Sequence, residues 1–414
     1  MEASTVEPTG RYGDEALAAG VTDQEALGWR DGKRYAWLLG LLVPMIPFGA
    51  LQWHMITGSD IAWWFGPIVI FVIFPLVDMI AGIDGSNPPS SLIEWLENDK
   101  YYRWCTFLFL PIQFASLIWV CWMWTRPYMD TVDKVGLAAT VGMVSGIAIA
   151  CAHELGHKKE KLERWLSKIA LAPSMYGHFY IEHNRGHHVR VSTPEDPASA
   201  RMGESFYAFW PRTVGGSLKS AWHLESARFK RLKKSKWSIK NDILNAWLMS
   251  VVLFAVLTAI FGWMTLPLLL LQAVIGFSML EVVNYLEHYG LMRRKGEDGR
   301  YERCQPEHSW NSNNTWSNVM LYHLQRHSDH HAHPTRRYQS LRHIDDAPQL
   351  PTGYAGMIVL AVFPPFWYKV MDKRCVEHYD GDVTRCNISP RARKRILKRW
   401  GGDAGVSTAK QEAA

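Results

Sequence analysis

The chain carries six near-continuous apolar runs, at residues 35–56, 61–81, 104–124, 135–152, 243–261 and 266–285. Each is about 20 residues long, enough for a helix to cross a bilayer core of roughly 30 Å. The runs predict an all-α integral membrane protein with six transmembrane helices. A length of 414 residues and a hydrophobic share of 48% accompany a mean hydropathy of only −0.12. Much of the mass must therefore lie in polar segments outside the membrane, at 153–240 and 286–385. Residues 1–34 are polar, lack the apolar core and small-residue cleavage site of a signal peptide, and are expected to form a flexible tail. Residues 386–414 are expected to form a polar, basic C-terminal tail.

Charge placement orients the spans. The net charge is +6, from 45 basic and 39 acidic residues, and the basic ones crowd the segment between the fourth and fifth spans and the C-terminal part. By the positive-inside rule these segments are cytoplasmic, as are both termini. The run Arg228, Lys230, Arg231, Lys233, Lys234 and Lys236 has two readings: contact with lipid headgroups, or a docking surface for an acidic redox partner. None of the six cysteines forms a C-x-x-C pair and three lie within spans. A disulfide framework is therefore not expected, nor is an iron–sulfur, rubredoxin-type or zinc-ribbon module. No haem, flavin or nicotinamide site and no nucleic-acid partner is expected.

The chemistry lies in the 17 histidines. Four clusters stand out: HELGH with His153 and His157, EHNRGHH with His183, His187 and His188, NYLEHYG with His288, and YHLQRHSDHHAHP with His323, His327, His330, His331 and His333. On a helix, residues i, i+3 and i+4 share a face, so 153/157, 183/187 and 327/330/331 each group imidazoles on one side. His188 follows His187 by about 100° of rotation, which lets one helix reach two neighbouring metals. With the N-terminus inside, the fourth and sixth spans end on the cytoplasmic side and all four clusters meet on that face. Glu154, Glu182, Glu287 and Asp329 lie beside them as candidates to orient ring N–H groups.

HELGH also fits H-E-x-x-H, in which two histidines bind zinc and Glu154 serves as the base of a metalloprotease. That reading leaves at least seven other clustered histidines without a task. A transporter would hold its ligands near the bilayer midplane, not at one mouth. Nine imidazoles suit two ions, although imidazole accepts iron, zinc and copper alike.

The boxes HELGHK (153–158), YIEHNRGHH (180–188), NYLEHYGL (284–291) and LQRHSDHHAHPTRRYQSL (324–341) resemble those of the membrane non-haem di-iron desaturase and hydroxylase superfamily. They are most similar to bacterial alkane 1-monooxygenases, as are NPP (87–89), DPASARMGES (196–205) and HSWNSN (308–313), and the resemblance covers roughly residues 30–385. It implies a cytoplasmic helical domain capping a di-iron site, with two Fe ions held by His153, His157, His183, His187, His188, His288, His327, His330 and His331. It implies conversion of a medium-chain linear alkane to a primary alcohol by O2, with electrons from rubredoxin and its NAD(P)H-dependent reductase. A related di-iron fatty-acid or hydrocarbon hydroxylase or desaturase is the alternative.

His323, one turn before His327, is the candidate tenth ligand or supporting group, with His308 and His333 behind it. His54, His178, His223, His343 and His378 read as ordinary residues. In the second span Trp63, Gly66, Ile70 and Phe74 share a face, with Gly66 leaving a gap where a hydrocarbon could lie and Ile70 limiting its length. Asp78, beyond them, reads as a satisfied polar group. Met357–Val370, broken by Pro364–Pro365, is too short to span and reads as an interfacial or re-entrant piece.

Overall fold

The computed structural model describes residues 28–401. Six helices are long and apolar enough to cross a membrane: Ala36–Thr57, Asp60–Ala81, Lys100–Trp124, Thr131–Gly156, Asp242–Phe261 and Thr265–His288. They match the expected runs to within about one turn, and among the described residues isolated bridges are the only β-structure.

The fourth span outgrows its apolar run at both ends. Asp130 and Asp133 form a reciprocal cap, each side chain accepting from the other's backbone N–H at 2.9 and 3.1 Å. At the other end the helix continues through His153 and Glu154 to Gly156. The Lys161–Leu171 helix folds back on it, where Ser167 Oγ donates to Ala152 O at 2.6 Å.

This span is the axis of the bundle. Of its apolar window 89% is buried against protein, compared with 28–50% for the other five. Small residues let its neighbours approach. A Cβ on Gly142 would lie 2.9 Å from the Ile275 side chain, and one on Gly146 would lie 2.6 Å from Met279. Polar bonds fix the register: Ser145 Oγ donates to Gln272 Oε1 at 2.8 Å, and Gln272 Nε2 to Pro173 O at 2.6 Å. Such interhelical bonds contribute about 0.6 kcal/mol each on average.

The polar segments close over one end of the bundle. The Phe206–Arg231 helix packs on the sixth span, as does the Tyr354–Ala361 helix, which also touches the second. The break at Phe363–Pro364 ends that helix and starts Pro364–His378. Val362, Phe363 and Phe366 point outward there while Met357 and Trp367 are buried, as an interfacial corner requires.

Both expected tails are partly docked. Tyr102 Oη donates to Asp31 at 2.6 Å and Lys33 pairs with Asp84, so residues 31–34 are tied to the bundle; residues 1–27 lie outside those described. After residue 385 the chain lies against the third histidine box, with Asn387 N donating to Gly290 O at 2.9 Å. It then forms the Arg393–Trp400 helix, which buries Ile396 and Leu397.

Candidate metal centre

The nine histidines converge into two adjoining groups. His153, His157, His183, His188 and His330 form one, and His187, His288, His327 and His331 the other. Within each group the nearest ring nitrogens all lie within 4.8 Å of one another. Two nitrogens on opposite sides of one ion, each at about 2.1 Å, would span about 4.2 Å. The groups touch, with the rings of His188 and His331 4.4 Å apart.

Backbone geometry decides which histidine joins which group. Residues 179–190 form one continuous helix whose middle, His183–His187, is a π turn. In an α-helix residues five apart point about 140° away from each other, whereas a π turn brings them onto one side. His183 and His188 therefore meet, Nε2 to Nε2, at 3.1 Å, and His187 turns to the other group. This replaces the expected 183/187 pairing. The His327–Ala332 helix is α-helical, so His327 and His331 share one group and His330 crosses to the other. Gly186 permits the π turn, because a Cβ there would lie 2.5 Å from Glu182 Oε2 and 2.6 Å from Arg190 Nη2.

The nitrogens fit a cation better than they fit one another. Pairs such as His331 with His327 (2.9 Å), His288 with His327 (3.2 Å) and His330 with His188 (3.1 Å) can share at most one proton each. The buried Nε2 atoms of His153, His157 and His187 have no hydrogen-bond partner. Burial, then the neighbouring histidines, pushes His157, His183, His188, His327, His330 and His331 well below the ordinary imidazole range. They are neutral, as metal ligands must be.

The family model described as Fatty acid desaturase matches residues 134–361, which include all four boxes. Over 374 residues the chain is 50% identical to the alkane 1-monooxygenase of Acinetobacter baylyi, covering 90% of this chain and 92% of that one. It is 45% identical over 388 residues to the alkane 1-monooxygenase of Ectopseudomonas oleovorans, covering 93% and 96%. The chain belongs to the alkane 1-monooxygenases. Similarity reaches further, at 26% identity over 261 residues, to the xylene/toluene monooxygenase hydroxylase component of Pseudomonas putida, covering 61% and 67%. Membership makes this chain an oxidoreductase of the alkane 1-monooxygenase kind.

Of the four carboxylates expected to support imidazoles in this alkane 1-monooxygenase, one touches a grouped ring. Glu287 Oε2 lies 3.2 Å from His327 Nε2, and Glu287 Oε1 accepts from Tyr354 Oη at 2.8 Å. Glu154 instead pairs with Lys158 at 2.9 Å and accepts from Tyr338 N at 3.3 Å. Asp329 binds Arg336 at 2.7 and 2.8 Å, Arg342 N at 2.9 Å and His333 at 3.0 Å. Glu182 pairs with Arg190 at 2.7 Å, its carboxyl pushed up to about 7 by burial. These three are taken up by cations and backbone N–H groups and bond none of the nine grouped rings.

His323 is also displaced. The chain before His327 is a turn, with Tyr322 and His323 in the left-handed region (φ 51° and 54°), so no helix carries His323 onto the face of His327. Its Nδ1 lies 2.8 Å from Tyr338 O and its Nε2 3.3 Å from Lys33 Nζ.

Two supporting groups carry no histidine-spacing signal. His187 Nδ1 donates to Asp196 Oδ2 at 2.9 Å, which leaves Nε2 free. Asp196 is held down to about 2, burial being outweighed by His187 and the Ser199 hydroxyl. His288 Nδ1 lies 3.3 Å from His308 O, so residue 308 contributes through its carbonyl. Asp196 lies in DPASARMGES and His308 in HSWNSN, so family resemblance pointed to the segments and not to their tasks.

The proposed hydrocarbon stripe divides. Ile70 and Phe74 line an apolar slot with Ile147, Ala150, Met279, Ile358 and Tyr354. The slot is small, about 50 Å³. Gly66 leaves no gap, because a Cβ there would lie 2.6 Å from Thr140 Cα, and Gly66 N donates to Thr140 Oγ1 at 2.9 Å. Thr140 Oγ1 donates on to Trp63 O at 2.7 Å, so Gly66 and Trp63 serve helix packing. Asp78 accepts from Ser317 N at 2.9 Å and from the Ser317 hydroxyl, as a satisfied polar group.

In the basic run Lys230, Arg231, Lys233 and Lys234 are exposed, whereas Arg228 is tied to Glu225 and Lys236 lies 5.5 Å over Trp222. Leu232, Trp237 and Ile239 are exposed among them. Of the histidines read as ordinary, His54, His343 and His378 bond or pair locally. His223 sits on the rim of a polar surface cleft. His178 is different, being buried with an unpartnered Nε2.

Proposed function

We propose that the chain converts the terminal methyl of medium-chain linear alkanes to a primary alcohol. One oxygen atom of O2 enters the product and the other leaves as water, with two protons and two electrons consumed. The electrons come from a rubredoxin served by an NAD(P)H-dependent reductase, docking on Lys230, Arg231, Lys233 and Lys234. The observation that supports this reading is the pair of buried imidazole groups joined to a small apolar slot through Tyr354, which lines the slot and whose hydroxyl bonds Glu287 beside His327.

Two irons held by His153, His157, His183, His188 and His330, and by His187, His288, His327 and His331, would supply the activation of O2 and the abstraction of a hydrogen atom. The chain's own residues supply position and dryness. Ile70, Phe74, Ile147 and Ile358 line an apolar wall along which one extended chain would be held away from water and presented end-on. Alignment of that kind favours the terminal carbon over weaker internal C–H bonds. Asp196 and the His308 carbonyl fix the protons of His187 and His288 on Nδ1.

The basic segments support a cytoplasmic placement of the histidine face and both termini, in a bacterial inner membrane. Residues 35–385 would form one hydroxylase domain, with 153–240 and 286–385 covering its cytoplasmic end. Metal analysis of purified protein tests the reading together with products from octane in a strain supplying rubredoxin and reductase. Two irons per chain and octan-1-ol are expected. One zinc with no iron, or no octan-1-ol from iron-loaded protein, overturns it.

A further inference from the structure

We infer that a second cavity, facing the bilayer, binds a single alkyl chain that ends in a hydroxyl. Its assignment as a product site rests on the hydroxylation reading above. The cavity measures about 440 Å³ and lies between the fifth and sixth spans, the Phe206–Arg231 helix and residues 175–178. That volume is in the range of about 300–1,000 Å³ usual for small-molecule sites. It shares no lining residue with the slot of Ile70 and Phe74. Among its lining residues Val251, Leu270 and Val274 are 56%, 43% and 44% exposed, so the mouth opens onto the lipid around the spans.

The wall is apolar except at two points that lack partners. His178 is 4% and Ser250 1% exposed, and neither His178 Nε2 nor Ser250 Oγ has a hydrogen-bond partner. A serine within a helix ordinarily turns its hydroxyl to the carbonyl one turn back, which Ser250 does not. Burial takes His178 down to about 4, so its ring is neutral and offers one donor and one acceptor. Of the other two polar side chains in the wall, Tyr176 Oη is committed to Glu281 at 2.6 Å and Trp247 offers only an indole donor.

These groups choose among ligands. A bare hydrocarbon would leave both polar atoms unsatisfied, which is costly in a dry site. A carboxylate or phosphate head would find no Lys or Arg in the wall. A hydroxyl both donates and accepts, so it can pair with either the imidazole nitrogen or the serine while its alkyl chain covers Trp247, Phe277 and Leu218. The enzyme's own reaction makes such a molecule within the membrane.

The test uses the full chain in phospholipid nanodiscs with both metal sites loaded and no electron donor, so that nothing turns over. Retention of labelled dodecan-1-ol and of dodecane is measured side by side. The wild type is expected to hold one more alcohol than alkane per chain. Ser250→Val, close in volume, and His178→Phe should each weaken that extra alcohol about tenfold, the effect of one buried hydrogen bond, while dodecane retention stays level or rises because an unsatisfied polar atom is gone. Ala273→Trp, which fills the cavity, should abolish it. Equal retention of alcohol and alkane, or an extra alcohol indifferent to all three variants, overturns the site. A wild-type chain that hydroxylates octane yet holds no extra alcohol removes this proposal alone. An extra alcohol held by a chain that makes none keeps the binding site and removes the hydroxylation reading.

Discussion

His187 and Asp196 meet at 2.9 Å, Nδ1 to Oδ2, with both side chains buried. The carboxylate fixes the ring proton on Nδ1 and turns Nε2 toward the four-histidine group. Asp196→Ala is expected to lower metal affinity at that group by about 10–100-fold, with Asp196→Asn between it and the wild type. Metal content after dialysis against graded chelator reads the change. Unaltered loading in the alanine variant would remove Asp196 from the site.

Gly186 is expected to tolerate no side chain. A Cβ would meet the Glu182–Arg190 pair at 2.5 and 2.6 Å, so Gly186→Ala should cost about 1–3 kcal/mol and misdirect His187 and His188. Gly215, exposed with nothing within 4 Å of its Cβ position, is the contrast. Gly215→Ala should stabilise by up to about 1 kcal/mol. Thermal melts of the two variants should move in opposite directions, and metal content should fall only in Gly186→Ala.

Chain-length preference should follow the slot and not the whole stripe. Ile70→Trp should shorten the preferred alkane, and Phe74→Ala should lengthen it. Gly66→Ala, by contrast, presses on Thr140 Cα and should lower turnover for all lengths alike. Product profiles from a series of alkanes distinguish the cases, and an Ile70→Trp profile identical to the wild type argues against the slot.

Reduction by an acidic electron carrier should slow as salt rises, since steering by exposed charge is screened over about 8–10 Å at ordinary ionic strength. Replacing Lys230, Lys233 and Lys234 by Glu should slow it further and flatten the salt dependence. A rate insensitive to both would assign the run, with its exposed Trp237 and Ile239, to lipid headgroups.

Metal removal should loosen residues 179–190 and 327–332 first. Ions that bind only the folded state stabilise it by mass action, and these two short helices contribute six of the nine imidazoles. Hydrogen exchange with and without chelator should rise there and change little in the fourth span.

The spans were legible because length and apolarity are local properties, and the histidine clusters because i+4 spacing is; the choice of these nine among them came from the resemblance of the boxes. How the set divides was not. The π turn at 183–187 depends on the Glu182–Arg190 pair and the space at Gly186, and no helical wheel drawn at 100° per residue reproduces it. His323 failed for a related reason, since the left-handed turn at 322–323 interrupts the helix that spacing assumed. Gly66 read as empty space in one helix viewed alone, while the fourth span occupies that space. Glu154 and Asp329 are near their histidines in sequence, but the nearest cations and backbone N–H groups captured them.

The burial of the fourth span bears on how this enzyme could be altered. One helix supplies a wall of the slot through Gly146, Ile147 and Ala150, and a few residues later two of the metal-facing imidazoles. A substitution there changes what fits and what reacts at once, so selection on either property constrains the other. The second span carries Ile70 and Phe74 on a helix that is mostly uncovered by protein and bears none of the nine histidines. New substrate ranges should therefore be sought by varying that helix, leaving the fourth as the invariant frame of a redesigned catalyst.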